Sequence, residues 1–63
     1  MKKFILLTNA DPETLGNTVI NTEIISSICD GEDCTYIYTN LGEEEVVIAE
    51  VKESAAEIYS MLQ

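Results

Sequence analysis

Glu45-Val46-Val47-Ile48-Ala49-Glu50-Val51-Lys52-Glu53-Ser54-Ala55-Ala56-Glu57-Ile58-Tyr59-Ser60-Met61-Leu62 changes its hydrophobic period partway along. Up to Val51 the residues are mostly β-branched and read as a strand. Val46 and Ile48 would share one face, and Val47, Ala49 and Val51 the other. With both faces apolar, this strand is expected at the centre of a sheet, or with one face covered by a partner subunit. From Ala55 onward, Ala55, Ile58, Tyr59 and Leu62 stand at the i, i+3, i+4, i+7 spacing of an amphipathic helix. Ser54 and Glu57 occupy the positions of a capping box, which starts the helix at the point where the period changes. A helix of about ten residues does not persist alone, so its stripe must pack on a sheet.

Toward the N-terminus, Cys34-Thr35-Tyr36-Ile37-Tyr38-Thr39 is the clearest strand. Cys34, Tyr36 and Tyr38 are expected on one face, and Thr35, Ile37 and Thr39 on the other. Asp30-Gly31-Glu32-Asp33 and Asn40-Leu41-Gly42-Glu43 are turns. Phe4 to Thr8 and Thr18 to Asn21 are two further short strands, separated by the turn residues of Asn9 to Asn17. Glu23 to Cys29 fits either a strand or a helical turn. The expectation is one α+β domain over residues 1–63: an antiparallel meander of four or five strands with one C-terminal helix packed on it.

Composition narrows the chemistry. The chain has 63 residues, 46% of them hydrophobic, and a formal net charge of -9. It has no His and no Arg, so the usual general base and the bidentate phosphate clamp are both missing. Twelve acidic residues face only Lys2, Lys3 and Lys52. Such a chain repels nucleic acid and anionic lipid, so neither is expected as a direct partner. The run after Lys2 and Lys3 is too short for a signal peptide, and no segment approaches the ~20 apolar residues of a membrane helix. A cytoplasmic location is expected.

The cysteines and acids are the candidate site residues. Cys29 and Cys34 bracket a turn that would set them opposite each other, within reach of a disulfide; a reducing compartment favours free thiols. Asp30, Glu32 and Asp33 lack the Asp-x-Asp-x-Asp-Gly alternation of a calcium loop, and no metal or other cofactor is expected. Glu43, Glu44 and Glu45 cannot converge as one carboxylate pair on an extended segment. Tyr36, Tyr38 and Tyr59 are expected to pack where the helix crosses the sheet. A stacking platform for single-stranded nucleic acid would need a basic groove, which the chain lacks. A domain this small also offers little cleft in which to tune a catalytic carboxylate, so enzyme activity is not expected.

Several short motifs resemble a known family. These are Phe4-Ile5-Leu6-Leu7-Thr8-Asn9, Val19-Ile20-Asn21 with Ile24, Ile25 and Ile28, Tyr36-Ile37-Tyr38-Thr39-Asn40-Leu41-Gly42, and Val51-Lys52-Glu53-Ser54 with Glu57-Ile58. Together they resemble the small FlbD-like proteins found beside bacterial flagellar genes. The chain departs from that pattern in an enlarged first hairpin, in Leu41 between Asn40 and Gly42, and in the acids at Glu43 to Glu45. The resemblance implies a small bacterial accessory protein with no catalytic residues to carry over. Ile5 to Thr8 and Glu57-Ile58-Tyr59 also resemble, more loosely, the carbon storage regulator, whose RNA binding rests on basic residues absent here.

The functional expectation is a non-enzymatic protein-interaction module that self-associates as a homodimer or higher homo-oligomer, since a core this small often needs a staple. Asp30, Glu32, Asp33, Glu43, Glu44 and Glu45 are the expected contacts to a basic protein partner. The alternative is an acidic inhibitor that mimics nucleic acid in a basic cleft, of phage or mobile-element type.

Overall fold

A computed structural model describes residues 3–63. Lys2, one of the two lysines before the first apolar run, lies outside them. The described chain forms β1 (Phe4–Thr8), β2 (Asn17–Asn21), β3 (Ser27–Asp30), β4 (Thr35–Leu41), β5 (Glu44–Val51) and α1 (Ala55–Leu62). The α+β class holds, but the single meander does not form. The strands make a two-stranded antiparallel sheet, β1-β2, and a three-stranded one, β3-β4-β5.

The break between them falls in the segment that fitted both strand and helix, and both occur there. Asn21 caps a single 3-10 turn over Thr22–Ile24, its side chain accepting from the Glu23 N–H at 2.9 Å. Ile25 resumes an extended conformation and β3 begins at Ser27. That turn carries the chain away from β2, so β2 and β3 do not pair.

The two sheets meet where the first strand ends and the last one ends. Asn9 bridges Val51. Around that bridge the Ala10 N–H donates to the Glu50 carbonyl at 2.9 Å, and the Lys52 N–H to the Thr8 carbonyl at 2.9 Å. The core lies between the sheets and under the helix: Ile5, Leu7, Ile20, Ile37, Val51 and Ile58. Ile25, Ile28, Ala49, Met61 and Leu62 pack against it, half-buried.

β4, not β5, is the central strand of its sheet. The apolar character of both faces of β5 has another cause. Ile37 pairs with Ala49 while Tyr38 pairs with Val47, so Ile48 is the extra residue of a β-bulge. The bulge breaks the expected alternation. Val46, Ala49 and Val51 now share the core side, opposite Thr39, Ile37 and Thr35. Val47 and Ile48 are left exposed.

The helix begins at the predicted capping box. The Glu57 N–H donates to Ser54 Oγ at 3.1 Å, and the Ser54 N–H donates to Glu57 Oε1 at 3.2 Å. Its buried stripe is turned slightly from the expected one. Ile58 is fully buried with Met61 and Leu62 beside it, while Tyr59 is 65% exposed. Tyr36 and Tyr38 are half-buried on the face of β4 opposite Ile37. The three tyrosines therefore do not gather at the helix–sheet crossing, because Thr35 and Ile37 take the core face of β4.

Candidate functional site

The six acidic residues expected to contact a partner are split between the two ends of the larger sheet. Asp30, Glu32 and Asp33 belong to the β3–β4 hairpin, and Glu43, Glu44 and Glu45 to the β4–β5 hairpin. The seven-residue β4 holds these hairpins roughly 23 Å apart at about 3.3 Å per residue. Two of the six have internal work. Asp30 Oδ1 accepts from the Ala55 N–H at 2.9 Å and from Thr35 Oγ1 at 3.3 Å, satisfying a free donor at the start of α1. Glu45 Oε2 accepts from Ser26 Oγ at 2.9 Å and Ser27 Oγ at 3.2 Å, reaching from β5 across the sheet to β3. All six are exposed to solvent.

Neither cysteine pair nor metal site forms among the described residues. Cys29 pairs with Tyr36, while Cys34 lies across the turn from Gly31, whose N–H donates to the Cys34 carbonyl at 2.7 Å. The thiols are free and are not set opposite each other. Cys34 Sγ instead donates to Glu50 Oε1 at 3.8 Å. The Tyr36 phenol is raised above its ordinary range, first by its hydrogen bond with Cys34 and then by the charges of Cys34 and Glu50. Among the described residues, no group of three or more acidic or thiol side chains could hold a metal ion. No helix of the described residues is long and apolar enough to cross a membrane.

The feature that sequence reasoning missed is apolar. On β1 and β2 one face supplies Ile5, Leu7 and Ile20 to the core. The opposite face carries Phe4, Leu6 and Val19, which are 55%, 60% and 62% exposed. Leu6 and Val19 are registered partners, and Phe4 follows two residues along, so the three form one continuous patch. The signal was present: Phe4 to Leu7 is apolar at every position, whereas a half-buried strand should alternate.

Along the same strand, Glu53 closes one end of an edge. The backbone N–H of Thr8 donates to both Glu53 oxygens, at 2.9 and 3.1 Å, and Thr8 Oγ1 donates to Oε2 at 2.9 Å. The carboxylate stands where the carbonyl of a further strand residue would be. Burial pushes the Glu53 carboxyl up, but the Thr8 N–H, its own N–H, the Thr8 hydroxyl and Lys52 outweigh it and hold the group below its ordinary value. Beyond Thr8 the chain of β5 has left for α1, and an open groove of about 380 Å³ remains, lined by Phe4, Ile5, Leu6 and Met61.

No family model, no curated protein and no solved structure matches this chain.

Proposed function

We propose that this chain is a non-enzymatic interaction module that works by self-association, with the outer side of its first hairpin as the contact. The observation that carries this reading is the apolar patch of Phe4, Leu6 and Val19 beside the groove at β1. Large exposed apolar patches on small proteins mark contact surfaces. The acidic turns keep the rest of the surface soluble and disfavour nonspecific contact. This reading fits the small accessory proteins that the FlbD-like motifs suggest, and that likeness rests on those motifs alone.

The test is the molar mass in solution, measured by light scattering at low and high salt. A dimer or higher oligomer that persists at high salt supports an apolar, strand-mediated contact. A monomer at every concentration sinks the proposal. The alternative of an acidic inhibitor makes the opposite demand. Its basic partner should be lost from a tagged pull-down at high salt, and also when Glu43, Glu44 and Glu45 are all changed to Gln.

A further inference from the structure

Resting on the self-association just proposed, we infer that two copies of this chain pair antiparallel through the outer edge of β1, with Ile5 at the twofold axis. The hairpin ladder decides which backbone groups are free. The Thr22 N–H donates to the Lys3 carbonyl at 2.8 Å, and the Asn9 N–H to the Gly16 carbonyl at 3.0 Å. Both pairs continue the register of Ile5↔Ile20 and Leu7↔Thr18. In an antiparallel ladder the bonded pairs alternate, so Ile5 and Leu7 turn their backbone groups toward β2, while Phe4, Leu6 and Thr8 turn theirs outward. Thr8 is occupied by Glu53 and Lys52. The outward N–H and carbonyl groups of Phe4 and Leu6 have no partner among the described residues.

That leaves one self-consistent register. Pairing Phe4 with the partner's Leu6, and Leu6 with the partner's Phe4, satisfies every free group on both edges. A shift toward Thr8 drives the strand into Glu53 and Lys52. A shift the other way pairs Phe4 with itself and takes Leu6 beyond the end of β1. The chosen register also sets the exposed Phe4 and Leu6 side chains of the two copies beside one another as cross-strand neighbours.

Charge sets the direction of pairing and disfavours the β5 edge. Two of the three cations in the chain, Lys2 and Lys3, immediately precede β1, and every acidic residue follows it. The outer edge of β5 carries Glu44 and Glu45, so two copies meeting there would set acid against acid. At β1 an antiparallel pair brings Lys3 of each copy to the Thr8 end of the other, where Glu53 lies. A parallel pair would set lysine against lysine.

Sedimentation equilibrium on the full chain tests this with Leu6→Pro. Proline there removes an outward N–H and none of the hairpin's own bonds. The dimer dissociation constant is expected to rise about tenfold or more, with the far-ultraviolet circular dichroism unchanged. A second test does not depend on that variant folding. In a Cys29→Ser/Cys34→Ser background, Phe4→Cys combined with Leu6→Cys should form a disulfide-linked dimer far more readily than either single cysteine. A wild-type chain that is monomeric overturns self-association and this pairing together. A wild-type dimer that survives Leu6→Pro, or that cross-links no better with the paired cysteines than with one, overturns the β1 pairing and leaves self-association standing.

Discussion

Glu53 shows how much one side chain can settle. It holds the backbone and hydroxyl of Thr8, and so ties the start of the helix segment to the end of β1. Glu53→Ala is expected to cost about 1–2 kcal/mol in chemical denaturation, the value of part-exposed hydrogen bonds to a charge. The pH dependence follows from the lowered pKa. The contribution is fully present above the ordinary carboxyl value of 4.5 and is lost as pH falls through the lower folded value. Glu53→Gln should flatten that acid limb of the stability–pH curve. Gly31 is a second decisive residue. A Cβ there would lie 2.8 Å from the Cys34 carbonyl oxygen and against the Tyr36 ring. Gly31→Ala should therefore destabilise by about 1–3 kcal/mol, read by thermal unfolding.

Among the elements, the helix was fully legible where its chemistry is local. Ser54 and Glu57 are three residues apart in sequence, and the capping box forms as read. Ser54→Ala should cost about 1 kcal/mol of stability. The faces of β5 were not legible, because the bulge at Ile48 depends on how β4 and β5 register against each other. A test of this correction compares two neighbouring valines. Val46 lies on the core side and is half-buried, so Val46→Glu should destabilise by about 1–3 kcal/mol. Val47→Glu, on the exposed face, should stay within about 0.5 kcal/mol of wild type. Continuous alternation through Ile48 would predict the reverse order.

At the scale of the molecule, six buried apolar residues form the core among the described residues, while the exposed set of large apolar residues includes Phe4, Leu6, Leu15, Val19, Leu41 and Tyr59. A core so small leaves little reserve. Leu7, wholly buried between the sheets, should cost about 2–5 kcal/mol on replacement by Ala. If association contributes to stability, the melting temperature must rise with protein concentration, and differential scanning calorimetry across a hundredfold range reads this directly. A melting temperature independent of concentration would count against the proposed self-association.

Local chemistry was determined by the sequence alone: the strand at Phe4 to Thr8, the Tyr-rich strand, the turns and the capped helix. Each depends on propensity, period or a side chain within one turn of its partner. Only the tertiary structure decided that β2 and β3 part company, that Val51 meets Asn9, and that Glu53 reaches Thr8. Those contacts join residues about forty positions apart, and no local pattern specifies which distant edge will be free to receive them. The six acidic residues expected to contact a partner come from two turns, whose separation the sequence does not give. The length of β4 separates them, and Asp30 and Glu45, though exposed, accept hydrogen bonds from the Ala55 N–H and from Ser26 and Ser27 within the fold.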